Sequence, residues 1–279
     1  MLDKPVLDVI RDKYVKIFSA EKKVADFVLN HPQDAVNSNV TQLAKRSGVS
    51  DATVTRMCRH LGYKGYYQFR LMLAKDIGRD VDIKEEIELQ KEANPVAKIF
   101  EQYANSIISV GANLNVDDFK QCANLIKSSH NVLVIAVGNT MPLALYTGFR
   151  LERMGVHAYY NVLPEYFLNH INLADPNDIV LAISQSGSSR QIVQGMELAK
   201  KKGLKRIAIT GYRQSPVSSL ADFVLVSNEK NESFNYYKNY AHLKETAVID
   251  ALLAFVMNWE TIVEKGADLP EMIMSEYKY

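Results

Sequence analysis

Cysteine is scarce in this chain: Cys58 and Cys122 are the two in 279 residues. A distant pair is not a disulfide framework, and no Cys/His spacing of a zinc site accompanies it. A reduced, cytoplasmic protein with no metal is the expectation. Net charge is also missing, because 33 Lys and Arg face 32 Asp and Glu, a formal +1. The whole-chain balance therefore names no partner, and only local clustering of charge can. Long apolar runs are absent. The longest, Ala251 to Met257, is far too short to cross a bilayer, so no membrane partner is expected. The opening "MLDKPVLDVIRDKY" carries charge throughout and lacks the apolar core of a signal peptide. Neither Gly-x-x-x-x-Gly-Lys nor a full Gly-x-Gly-x-x-Gly occurs, which removes the familiar nucleotide signatures. The serine-hydrolase elbow fails because Ser184 stands where its first glycine belongs. There is no internal repeat, and no cofactor is expected.

What the chain does have is material for two domains, with 47% hydrophobic residues. Residues 1–78 read as helix only. Ser19 can cap a helix carrying Val24, Phe27 and Val28 that stops at Pro32; further short helices follow Asn39 and Ser50. Residues 79–94, including "DVDIKEEIELQKEAN", read as an acidic, solvated linker. Residues 95–279 open with a helical stretch and then alternate. Short apolar runs at 131–137, 156–160, 178–183, 205–210 and 223–227 are separated by helix-length amphipathic stretches. Strands spaced by helices predict a five-stranded parallel sheet covered on both faces. A last helix is expected over roughly 238–265. The fold class is thus α followed by α/β.

In the first half, "VTQLAKRSGVSDATVTRMCRHLG" has the spacing of a DNA-binding helix-turn-helix. Ala44 is small where two steeply crossing helices touch, and Gly48 suits a turn at positive φ. Ser50 is placed to cap the second helix, which Val49, Val54, Met57 and Leu61 anchor. From residue 40 to 75 seven basic residues (Lys45, Arg46, Arg56, Arg59, Lys64, Arg70, Lys75) face one acid, Asp51. The expected DNA-binding residues are Ser50, Thr53, Thr55, Arg56, Arg59 and Lys64. The plain alternative is a solvated basic face on an ordinary helix pair.

In the second half two strand-to-helix turns stand out. "AISQSGSSRQ" runs from a strand through four serines and a glycine into a helix, which suits an anion cradle of backbone N–H groups, hydroxyls and helix dipole. The earlier turn, Gly138-Asn139-Thr140, also follows a strand. Ligands of parallel sheets bind outside the carboxyl ends of the strands, where both turns lie. Ordinary helix capping is the plain alternative for the serines.

These stretches, with "SAEKKVADFVLNHP", "FRLERMG" and "SPVSSLADFVL", resemble the RpiR family of bacterial transcription regulators over about residues 3–262. That family joins a helix-turn-helix domain to a sugar isomerase (SIS) domain. The resemblance implies a sugar-phosphate-responsive regulator with an αβα sandwich as its second domain. Ser184, Gln185, Ser186, Ser188 and Ser189 would hold the phosphate, aided by Gly138, Asn139 and Thr140, with Glu245 beside the sugar. Two departures stand out: Ala136 and Thr140 occupy places usually taken by a glycine and a serine, and Ala241-His242 replaces a serine–arginine pair.

SIS domains also occur in isomerases, which need a group to move a proton between C1 and C2. Glu165, His170, His242 and Glu245 are the candidates for such a role. The helix-turn-helix, which an isomerase does not need, favours a sensor and no catalytic residue. A third reading keeps the SIS domain only for dimerisation. The expected partners are double-stranded operator DNA, a phosphosugar and a second copy, as dimer or tetramer, with Val248, Leu252 and Phe255 as a candidate surface, residues that could equally face their own sheet.

Overall fold

The computed structural model describes residues 4–77, 93–228, 242–257 and 273. Most of the expected linker and both ends of the expected last helix lie outside the described residues. The described residues divide into two compact units, one within residues 4–108 and one within residues 109–228 and 242–257.

The first unit is helical. α1 is Val6–Lys13, α2 Ser19–Asn30, α3 Pro32–Asn37, α4 Val40–Arg46 and α5 Asp51–His60; α6 covers residues 66–77. Ser19 is the first residue of α2 and not its cap. The N-terminal turn is closed by the Glu21 carboxyl, which accepts from the Phe18 N–H at 3.3 Å. Asn39 caps α4 by accepting from Gln42 N–H at 2.8 Å, and the Gln42 side chain accepts from Asn39 N–H at 3.0 Å. This reciprocal pair satisfies two donors that every helix start leaves open. Val24, Val28, Leu43, Val54, Met57, Leu61, Phe69 and Leu73 form one core.

The second unit is a three-layer sandwich. Its helices are α7 Pro95–Ala112 (which begins in the first unit), α8 Val116–Ser128, α9 Met141–Arg153, α10 Pro164–Leu173, α11 Arg190–Lys201 and α12 Leu243–Val256. Its strands are β1 Val132–Ile135, β2 Ala158–Tyr159, β3 Ile179–Ile183, β4 Lys205–Thr210 and β5 Phe223–Val226. All pair in parallel, in the order β2-β1-β3-β4-β5. The five expected strands and their parallel arrangement are what the structure has. Alternation drives the layering. Val132, Val134, Ile179, Leu181, Ile183, Ile207 and Ile209 face α8, α9 and α12. Leu133, Ile135, Val180, Ala182 and Ala208 face α10 and α11. With both faces covered, each strand reads as a continuous apolar run.

Val248 and Leu252 of α12 lie in this core, each 1% exposed. They are therefore unavailable as a dimer surface, and of the three residues expected there only Phe255 reaches solvent. Cys58 and Cys122 are free thiols buried in different cores. Burial pushes the Cys122 thiol up to about 12 and the Cys58 thiol higher.

Candidate functional site

The reader surface is the exposed side of α5. Gly48 closes α4 at φ +65°, and Val49 N–H donates to Ala44 O at 2.9 Å, which turns the chain sharply. Ser50 caps α5, its Oγ accepting from Thr53 N–H at 3.3 Å. Val54, Met57, Cys58 and Leu61 are buried against the first core. Ser50, Arg56, Arg59 and Lys64 are exposed, and Thr55 is half-buried. Thr53 departs from the expectation. It is buried, with its hydroxyl 3.0 Å from Ser50 Oγ and accepting from Arg56 Nη2 at 3.2 Å. One turn before Met57, it borders the apolar stripe, so its hydroxyl is committed inside the protein. Arg70 also leaves the basic face: it is buried, and its Nε donates to Val36 O at 2.6 Å. The exposed basic surface is thus one charge smaller than the sequence count.

In the second unit the two turns meet where the strand order reverses, between β1 and β3, the switch point at which open α/β sheets bind ligands. Thr140 joins them, since its Oγ1 lies 3.0 Å from Val137 O and 3.2 Å from Ile183 O. That hydroxyl proton is spent on the backbone, so Thr140 braces the turns rather than offering a donor to an anion. Gly138 adopts φ +62° with open space where a Cβ would be, so a ligand can approach its backbone. Gly187, also at φ +62°, is confined: a Cβ there would fall 2.2 Å from Ser215 Oγ. The "SPVSSLAD" segment therefore braces the serine turn from behind, with Ser215 and Ser218 bonded to each other at 2.9 Å.

The serines are not ordinary caps. Ser189 is the N-cap of α11 yet makes no side-chain cap bond. Ser186 Oγ accepts a long bond, 3.3 Å, from Ser188 N–H. Ser184 is buried and its Oγ has no partner among the described residues.

Contacts then run right round the carboxyl edge of the sheet. Gln185 O accepts from Gly211 N–H at 3.0 Å. Gly211 has no room for a Cβ, because Asn228 Nδ2 would lie 2.7 Å from it. Beside Asn228, Ser227 Oγ donates to Glu245 Oε1 at 2.9 Å. Glu245 Oε2 lies 3.8 Å from His242 Nδ1, close enough for a charge contact and too long for a hydrogen bond. The Glu245 carboxyl raises the His242 pKa above 6.5; partial burial opposes this, and the Asn139 backbone carbonyl adds to the rise. That influence places His242 near the first turn.

Four buried side-chain atoms in this ring accept or donate no hydrogen bond among the described residues: Ser184 Oγ, Asn228 Oδ1, His242 Nδ1 and Glu245 Oε2, the last two having only their 3.8 Å contact with each other. A buried polar group left unpaired costs about 1–3 kcal/mol, so a ring of them suits a polar ligand that completes their bonds. Glu165 is exposed on α10, and the His170 ring packs on Tyr159 at 4.8 Å between centroids. Among the described residues neither is hydrogen-bonded or ion-paired to the ring. Ser227, Asn228 and Gly211 belong to no local motif. The signal that finds them is topological, since polar residues following β4 and β5 must share an edge with the serine turn.

Residues 4–80 match the helix-turn-helix domain of the rpiR family, and residues 125–255 match the SIS domain. The chain is 30% identical over 258 residues to YbbH, an uncharacterized HTH-type transcriptional regulator of Bacillus subtilis, covering 88% of each. An uncharacterized HTH-type regulator of Thermotoga maritima is 23% identical, over 98% of this chain and 99% of its own. Among solved structures, NanR of Vibrio vulnificus complexed with ManNAc-6P shares the fold with a TM-score of 0.78 at 22% identity, over 95% of this chain and 98% of that one.

Proposed function

The chain belongs to the rpiR family of helix-turn-helix transcriptional regulators that carry a SIS domain, and on that premise we propose that a phosphorylated sugar, bound at the carboxyl edge of the sheet, sets its affinity for operator DNA. The observation that carries this reading is the ring of buried polar atoms without hydrogen bonds beside a hydroxyl-rich helix N-terminus. Ser184, Ser186, Ser188 and Ser189, with the α11 N-terminus, suit the phosphate. Gln185 lines the turn, and Glu245 with Gly138 and Asn139 suits the sugar hydroxyls. The ManNAc-6P named with NanR supports the ligand class and not the particular sugar. Arg56, Arg59 and Lys64 suit DNA contacts, with Ser50 and Thr55 at the entry of the reader helix. The protein acts as a cytoplasmic homo-oligomer, because one reader helix spans too few base pairs for useful specificity.

A second reading has one observation in its favour. His242 and Glu245 sit together in the ring, as an aldose–ketose isomerase would need. Purified protein that interconverts an aldose and a ketose phosphate, with Glu245→Gln abolishing turnover, would replace the sensor by an enzyme.

The test is thermal unfolding with a panel of aldose, ketose and amino-sugar phosphates, their unphosphorylated sugars and inorganic phosphate. A specific ligand at 100 times its Kd adds about 2.7 kcal/mol of stability. At least one phosphosugar should raise Tm while its sugar and phosphate alone do not. No shift with any phosphosugar of the panel contradicts the reading.

A further inference from the structure

We infer that His242 and Glu245 together read one hydroxyl of the bound sugar, so that the effector carries a free hydroxyl there and not an amino, acetamido or acidic group; this rests on the phosphosugar site just proposed and names the ligand chemistry that the site selects. Both residues belong to the second unit, His242 as the N-cap of α12 and Glu245 in its first turn. Their side chains are 13% and 1% exposed. His242 Nδ1 and Glu245 Oε2 are buried, face each other at 3.8 Å and make no hydrogen bond among the described residues. The other carboxylate oxygen, Oε1, accepts from Ser227 Oγ at 2.9 Å, which holds the group in place.

The gap has the size of one oxygen atom. Two hydrogen bonds of about 2.8 Å can meet at a single oxygen between atoms 3.8 Å apart. On one side stands a carboxylate oxygen, which only accepts. On the other stands His242. The Glu245 carboxyl favours its protonated form, and the Asn139 carbonyl adds to this, while partial burial opposes it; the imidazolium donates from Nδ1. The remaining charged neighbour on the helix is Lys244, between the two in the chain. The occupant must therefore accept from one side and donate to the other, and a hydroxyl does both. An ammonium group only donates and is repelled by the imidazolium. A carboxylate or a second phosphate only accepts and is repelled by Glu245. An acetamido group splits donor and acceptor between two atoms, so neither serves both partners.

The local sequence makes the arrangement. Positions 242 and 245 share one face of a helix at a spacing of three. Ala241-His242 departs from the serine–arginine pair of the resembled family, so the pairing is a feature of this chain. An arginine fork binds a carboxylate bidentately, whereas the shorter imidazole stops 3.8 Å away and leaves a place for the hydroxyl. A site built to bond a hydroxyl rejects the analogue that lacks it, because its buried groups are then left without bonds. With a charged partner on each side, the loss should be at least about tenfold in affinity.

Isothermal titration calorimetry of the full chain tests this at about pH 6, where the imidazolium prevails. The probes are the aldose or ketose phosphate of the panel that raises Tm most, and its analogues with one hydroxyl at a time replaced by hydrogen or by an amino group. At one carbon both replacements should weaken wild-type binding at least about tenfold. His242→Phe removes the cation and leaves the carboxylate, so at that carbon the amino analogue should bind at least as tightly as the parent. A merely structural role for His242 would weaken parent and analogues alike and keep their order. His242→Asn, polar and neutral, covers the case in which the phenylalanine variant does not fold. It should shift the ratio of parent to amino affinity at that carbon at least about fivefold in the same direction. A wild type indifferent to all the replacements, or a folded variant that keeps the wild-type order, overturns this proposal and leaves the phosphosugar site standing. No rise in Tm with any phosphosugar overturns the site, and the proposal with it.

Discussion

Gly48 and Gly187 stand at nearly the same φ, +65° and +62°, and each precedes a helix N-cap by two residues, Ser50 in one unit and Ser189 in the other. The surroundings differ. At the first turn Ser50 bonds Thr53, and the side chains left over are exposed cations. At the second, the Ser189 side chain makes no cap bond and the buried Ser184 hydroxyl has no hydrogen bond among the described residues. A surface that meets DNA can finish its own hydrogen bonds, because its partner is read by side chains reaching outward. A site that encloses a small anion must keep its bonds open until the ligand comes. The same turn chemistry therefore serves two ends, and the state of its hydrogen bonds tells them apart.

The contrast breaks most visibly at the glycines. Gly187→Ala should cost about 2–5 kcal/mol, a left-handed backbone penalty of about 1–2 plus overpacking against Ser215 of about 1–3. Gly48→Ala meets open space and should cost the backbone penalty alone, about 1–2 kcal/mol. Urea unfolding of the two variants compares them; equal losses would mean the two turns are alike after all. The next effect is on DNA. Arg56→Ala and Arg59→Ala should each weaken operator binding by about 1–3 kcal/mol if the side chain reads a base. Both are exposed, so stability should move by less than about 0.5 kcal/mol. Unchanged affinity in both variants would remove α5 as the reader.

A smaller contrast sharpens the comparison at the serines. In the ligand-free chain Ser50→Ala should cost about 1 kcal/mol as a lost cap. Ser184→Ala should cost nothing or stabilise, since it removes a buried hydroxyl without a partner. The smallest effect is that of pH. Because Glu245 raises the His242 pKa above its unfolded value, its contribution to stability is complete below about pH 6.5 and fades as pH rises through the folded value. The stability gap between wild type and His242→Gln should follow that course, and a gap independent of pH would contradict the pairing.

Much of this was legible in the residues. Short apolar runs and helix-length spacers located five parallel strands, and Gly48 with Ser50 marked the reader turn. Tertiary pairing was not legible. Nothing local says that Thr53 turns inward, that Arg70 reaches Val36 O across 34 positions, or which of the apolar residues on the last helix face their own sheet, as Val248 and Leu252 do. The orphaned ring was half visible: Ser184 and Glu245 belong to motifs, whereas Asn228 follows a short strand and gains meaning only when the sheet sets it beside Gly211.

The central claim is that an occupied ring changes DNA affinity. The direct measurement is fluorescence anisotropy of an operator, selected from a random pool, with and without a phosphosugar that shifts Tm. It is made on wild type and on Ser184→Ala/Ser186→Ala. In wild type the phosphosugar should change DNA affinity by about 5–150-fold, the usual 1–3 kcal/mol of coupling. The double variant should bind DNA as ligand-free wild type does and need at least about tenfold more phosphosugar to respond, at about 1.5–3 kcal/mol per lost bond to a charged group. A wild type that binds the phosphosugar without any change in DNA affinity, or a double variant that responds as wild type does, would contradict the account.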